Sequence, residues 1–216
     1  MIARLSLLHA CRNALIAASA LLLLAVPARA LDTSAQQAII VDYQTGTVLF
    51  EKNADVPVHP ASMSKLMTLY VLFDRLKEGA VSLDDTFPVS QKAWALNEGS
   101  TMFVGINEQI PIEDLIRGII VQSGNDACIV VAEGLAGTEE AFVELMNEKA
   151  KEIGLADSHF MNSHGLEDPE HLMTVRDLAA LAKRLIADFP EYYHYFAERE
   201  FVHNDIKQGN RNPLLY

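Results

Sequence analysis

The sequence predicts an α+β fold in which a short β-hairpin precedes a mostly helical region. Three observations carry this expectation. Ala38-Ile39-Ile40-Val41 and Thr47-Val48-Leu49-Phe50 are β-rich runs flanking Asp42 to Gly46, a turn that closes on glycine. Between Ser62 and Glu78, apolar residues lie all round a helix of that length, the mark of a buried helix. From Ile112 onward, short periodic segments alternate with caps and glycine stops.

The elements follow in chain order. Arg4 and Arg12 precede an apolar run from Ala14 to Val26, and no acidic residue occurs before Asp32. The run falls short of the roughly 20 residues that span a bilayer. It ends in Pro27-Ala28-Arg29-Ala30, with small residues at an A-x-A site, so residues 1–30 read as a secretory signal peptide cleaved after Ala30. The short apolar run argues against an uncleaved anchor. The Leu8 to Cys11 segment precedes the apolar run and does not close it, so it is not a lipid-attachment site.

After the hairpin, Pro60-Ala61 leads into the buried helix Ser62 to Glu78, which Gly79 stops. Ile112 to Gly118 is a short helix, and Gln122-Ser123-Gly124 separates it from a second beginning near Asn125-Asp126. Thr138 caps a helix to Lys151, with Gly154 as its stop. Ser158 to Met173 is a loop. Thr174 with Asp177 resembles a capping box opening a helix to about Ile186. An aromatic helix, Tyr192 to Phe196, and the run Glu200 to His203 follow; Tyr192, Tyr193, Tyr195 and Phe196 are expected to pack in the core. The first hairpin has few later strands to pair with, and an isolated hairpin is marginal in water, so its sheet is expected to lack members.

Composition narrows the function. Without residues 1–30 and their three arginines, 14 basic residues face 29 acidic ones, a formal charge of −15. Such a surface repels nucleic acid and anionic lipid. Cys128 is then the only cysteine, which excludes an intramolecular disulfide, and its apolar surroundings suit a buried thiol. The six histidines after the leader show no metal-ligand spacing, so no metal site or cofactor is expected.

Two motifs carry chemistry. Ser62-Met63-Ser64-Lys65 fits S-x-x-K, which on one helical turn brings Ser62 and Lys65 within hydrogen-bond reach and leaves Ser64 on another face. A helix N-terminus offers free N–H groups to a developing oxyanion. Lys65 can act as a base only when neutral, which requires burial. Ser123-Gly124-Asn125 is the second motif. Taken singly, each also fits a bland reading: a capping serine with a solvated lysine, or a turn before an Asn cap.

Order and context decide between these. Pro60 to Thr68, Pro-Ala-Ser-Met-Ser-Lys-Leu-Met-Thr, resembles the active-site segment of serine-type D-alanyl-D-alanine carboxypeptidases, the low-molecular-mass penicillin-binding proteins of peptidase family S11. Arg117 to Ala127 resembles that family's second element. Asn162 to Leu166, Thr174 to Asp177 and Gln208 to Leu215 extend the likeness over the chain from Ala38 onward. The resemblance implies a serine β-lactamase/transpeptidase-like fold, an antiparallel sheet with flanking helices plus a helical region. It implies Ser62 as nucleophile, Lys65 as general base, Ser123 as proton relay to the leaving D-alanine, and Asn125 as the group holding the substrate amide.

The implied partners are peptidoglycan stem peptides ending in D-Ala-D-Ala and β-lactam antibiotics. Membrane contact is implied only through a C-terminal amphipathic helix. The implied location is the periplasm, peripheral on the outer face of the inner membrane. Gly124 and the absence of an E-x-x-L-N segment argue against a class A β-lactamase. A D,D-endopeptidase is closer in sequence and stays open at this point. Intact Ser62, Lys65, Ser123 and Asn125 argue against an inactive cell-wall-binding module. His164 either lines the site or orders its loop. The family's K-T-G triad does not occur before Tyr216. Residues 31–216 are therefore expected to be the N-terminal part of a catalytic domain, incomplete at its C-terminus and inactive by itself.

Overall fold

β1 (Ala38–Val41) and β2 (Val48–Lys52) form the expected antiparallel hairpin, with a bulge between Ile40 and Val41. This computed structural model describes residues 32–216, so the leader and its cleavage site lie outside the described residues. The Asp42 carboxylate closes the hairpin turn, accepting from the Thr45 N–H at 2.7 Å and the Thr45 hydroxyl at 2.6 Å. β1 packs on α6 (Val175–Asp188), while Val48 and Leu49 of β2 are exposed.

The buried helix begins differently from the expectation. Ala61–Ser64 is a 3-10 turn, and α1 proper runs from Lys65 to Lys77. The tighter turn uses N–H groups that an α-helix would leave free. Met63 N donates to Pro60 O at 3.2 Å, and Lys65 N donates back to Ser62 O. α1 is otherwise as apolar as its sequence: Met67, Leu69, Tyr70, Val71, Leu72, Phe73 and Leu76 are all buried. At about 1.5–3 kcal/mol for each large side chain fully buried, this helix anchors the core. It packs against α4 (Asn125–Ala136), α5 (Glu139–Glu152) and α6.

Two further antiparallel strand pairs appear among the described residues. β3 (Thr86–Pro88) pairs with β4 (Gln109–Pro111), a pairing too short to show as alternation in sequence. β5 (Glu200–His203) pairs with β6 (Ile206–Gly209) through Asn204 and Asp205, both at positive φ, as a two-residue primed turn requires. Neither adds a strand to the first hairpin. α2 (Gln91–Ala95) is a short helix capped by Ser90. α3 (Ile112–Gln122) runs four residues beyond the expected Gly118.

Thr138 and Thr174 cap α5 and α6 as expected. The capping box at Thr174 is only half formed, because the Asp177 carboxylate turns to the Asp157 N–H and the Ser158 hydroxyl. The aromatic segment is a 3-10 turn, Tyr193–Ala197; Tyr195 is buried, Tyr192 and Phe196 pack on the core, and Tyr193 is exposed. Cys128 is a buried free thiol. No helix among the described residues is long and apolar enough to cross a membrane.

Candidate active site

The site is built around the junction of the 3-10 turn and α1. Ser62 is exposed and Lys65 is buried, yet Lys65 Nζ lies 3.1 Å from Ser62 Oγ. Lys65 also donates to the carbonyl of His164, on a loop nearly 100 residues away. Ser64 is turned inward, its hydroxyl donating to Ala61 O at 3.0 Å, so it is not available at the surface. Ala61, immediately before Ser62, has φ +49, a conformation unfavourable for a residue with a Cβ.

Burial pushes the Lys65 amine below its ordinary value, because a desolvated ammonium is costly. The neighbouring Cys128 thiol would favour the ammonium if it ionised. Burial raises that thiol to about 12, so it stays neutral and exerts no such pull. The Arg211 guanidinium also disfavours a second positive charge, while Asp126 opposes both effects. A hydroxyl in hydrogen-bond contact with an amine of lowered proton affinity is the geometry of an activated nucleophile and its base.

The loop that receives Lys65 is fitted closely to the serine turn. Gly165 has φ +86, and a Cβ there would collide with the Ala61 carbonyl. Asn162 Oδ1 accepts from the Gly165 N–H at 2.6 Å, holding this turn. Thr68, one turn along α1 from Lys65, donates to Ser163 O at 2.5 Å. His164 accepts the Leu166 N–H on Nδ1, which places its proton on Nε2. Burial keeps the ring's proton affinity below the ordinary histidine value. Of the two roles left open for His164, ordering the loop is visible, and its backbone carbonyl also binds Lys65.

Ser123 and Asn125 stand at the break between α3 and α4. Ser123 ends α3 in the left-handed conformation, φ 61, and is half-buried. Asn125 is buried; its N–H donates to Ser100 O at 2.7 Å and its Nδ2 to Glu98 O at 2.9 Å. One N–H of that amide therefore remains for another acceptor. Glu98 lines a cavity of about 330 Å³ together with Ala61 and Gly165, which brings the serine turn and the partner of Asn125 to one opening. Beside it, Ser100, Asp126 and Arg211 border an open cleft of about 590 Å³. Asp126 is buried, which raises its carboxyl above the ordinary value, and it accepts from the Met102, Val104 and Ala127 N–H groups.

Sequence reasoning missed the contacts of Glu98, Ser100 and Arg211, because they act through backbone carbonyls or across long separations. No group of three or more His, Cys, Asp or Glu suited to a metal occurs among the described residues.

Comparison with known proteins places the chain in a family and a fold. The pattern of the D-alanyl-D-alanine carboxypeptidase family matches residues 25–216. D-alanyl-D-alanine carboxypeptidase DacC of Escherichia coli is 45% identical over 183 residues, covering 82% of this chain and 46% of that protein. The crystal structure of penicillin binding protein 5 from Haemophilus influenzae superposes with a TM-score of 0.84 at 39% identity, covering 86% of this chain and 55% of that one. Penicillin-binding protein D2 from Listeria monocytogenes, in its cefotaxime-bound form, superposes with a TM-score of 0.76 at 25% identity, covering 86% and 76%. The fold is thus the transpeptidase-like fold of penicillin-binding proteins, as the resemblance implied. The chain spans about half the length of the curated relatives it matches. It belongs to the D-alanyl-D-alanine carboxypeptidase family, peptidase family S11.

Proposed function

We propose that the whole protein is a serine D-alanyl-D-alanine carboxypeptidase acting on peptidoglycan stem peptides in cell-wall metabolism. The observation that carries this reading is the exposed Ser62 hydroxyl 3.1 Å from the buried Lys65 amine. In the reaction, Ser62 Oγ attacks the carbonyl of the penultimate D-alanine as neutral Lys65 takes its proton. Ser123 passes a proton to the leaving nitrogen, the C–N bond breaks, and terminal D-alanine departs. Water then hydrolyses the Ser62 ester by the reverse use of the same base. The spare Asn125 N–H holds the substrate's amide carbonyl.

β-Lactams offer the same nucleophile a strained amide, and the cefotaxime-bound Listeria relative supports extending that reactivity to this protein. A peptidoglycan substrate and the signal-like pattern of residues 1–30 support a periplasmic location, outside the cytoplasmic membrane; residues 31–216 are proposed as the N-terminal part of the catalytic domain. The test is mass spectrometry of the whole protein after penicillin treatment. The adduct is expected on the peptide containing Ser62 and should vanish in Ser62→Ala; persistence of the adduct in that variant refutes the assignment.

A further inference from the structure

Glu139 is a buried carboxylate that the reaction above does not use. It opens α5 directly after the Thr138 cap, where an acid ordinarily faces solvent and complements the helix dipole. Here it is only 6% exposed and turned inward. Its Oε1 accepts from the Ser163 N–H at 3.0 Å and the Ser163 hydroxyl at 2.6 Å, and lies 3.4 Å from His164 Nε2. Its Oε2 lies 2.8 Å from Lys92 Nζ, the cation that faces it. Burial raises the Glu139 carboxyl, but the bonds from Lys92 and Ser163 outweigh that and leave it below the ordinary glutamate value, so it is ionised at neutral pH. His164 stays neutral beside it.

Each partner leads to the reacting groups. Ser163 and His164 are consecutive, and their carbonyls receive Thr68 and Lys65 of α1. Lys92 lies on α2, and the chain beyond α2 carries Glu98 and Ser100, whose carbonyls hold Asn125. Glu139 is therefore the junction between the loop that seats the amine and the segment that seats the amide. The groups facing Lys65 itself are the Ser62 hydroxyl, the His164 carbonyl, Cys128 and Asp126 on α4, and Arg211; Glu139 does not contact it.

We infer that Glu139 is a positioning residue for the general base: by clamping Ser163 and His164 it fixes the carbonyl that aims Lys65 Nζ at Ser62. The inference rests on the reading of Ser62 and Lys65 given above. A purely structural ion pair between α2 and α5 would affect stability and leave the chemistry of the folded enzyme unchanged. A positioning role changes the acylation step. Displacement of a catalytic group by about 1 Å, even from a distant mutation, can cost on the order of 100-fold in rate.

The experiment is Glu139→Gln in the whole protein, which keeps side-chain size and an acceptor oxygen and removes the charge. Acylation by a fluorescent penicillin is followed across pH and separated into the saturating rate and the half-saturating concentration, with the melting temperature measured alongside. The saturating rate is expected to fall roughly 10- to 100-fold while the half-saturating concentration changes less than about 2-fold. The pH profile should move to lower pH, since a displaced His164 carbonyl stabilises the ammonium less. A folded Glu139→Gln with wild-type rate and profile overturns the inference. If Glu139→Gln does not fold, Ser163→Ala decides by removing only the hydroxyl 2.6 Å from Oε1: a lower saturating rate supports the role, and wild-type kinetics overturn it. Ser62→Ala is run in parallel, and labelling that persists there refutes the nucleophile assignment itself.

Discussion

Ser62 and Lys65 lie within one helical turn, whereas Ser123 and Asn125 straddle a break between two helices. The first pair meets because residues three apart on a helix share a face, and the apolar body of α1 carries the amine into the core. The second pair needs help from elsewhere: Ser123 adopts φ 61, and Asn125 hangs from the carbonyls of Glu98 and Ser100, about 25 residues earlier. A motif within one turn has its geometry written in its spacing. A motif at a break is positioned by distant backbone, and its spacing records only the place of the break.

Substitutions at the two junctions should therefore behave differently. The largest effect is expected for Lys65→Arg, since a guanidinium stays protonated and cannot accept the Ser62 proton. General-base removal costs about 100- to 10,000-fold, and acylation of the whole protein by labelled penicillin should fall by that order. Substantial acylation would identify another base.

Gly165→Ala tests how far the first junction depends on the loop packed against it. The added Cβ meets both a positive φ and the Ala61 carbonyl, so stability should drop by at least about 1–3 kcal/mol, read from the denaturation midpoint. Acylation should fall as well, because the turn carrying Ser62 must move. Unchanged stability would show that the loop yields freely.

The smallest expected stability effect comes from Ser123 and separates its backbone from its hydroxyl. Ser123→Gly relieves the left-handed conformation, whereas Ser123→Ala retains it, so the glycine variant should be the more stable by roughly 1 kcal/mol. Both lose the hydroxyl and should release D-alanine slowly. Full activity in either variant would remove Ser123 from the proton path.

These contrasts also explain what was legible in the sequence. The buried helix, the hairpin at Asp42 to Gly46, the caps at Thr138 and Thr174 and the break at Ser123 all rest on local pattern, and the structure places them within a few residues of the expected bounds. The approach of Lys65 to Ser62 was legible for the same reason. The 3-10 start was hidden, because propensity does not distinguish a tight first turn from an α turn. β3 and β4 were hidden by their three-residue length. Glu139 looked like an ordinary first-turn acid; only packing shows it turned toward Ser163, 24 residues away.

In the proposed reaction, burial leaves Lys65 neutral enough to deprotonate Ser62. Its direct test is the titration of Lys65 by NMR of ¹³Cε-labelled lysine in the whole protein, assigned by its loss in Lys65→Arg, beside the pH dependence of Ser62 acylation. With the folded value lowered by burial, the amine should titrate below the ordinary lysine value of about 10.4. The acylation rate should rise with pH through that same lowered value. An amine that titrates at the ordinary value, or an acylation rate that rises at a pH unconnected with it, would contradict the account.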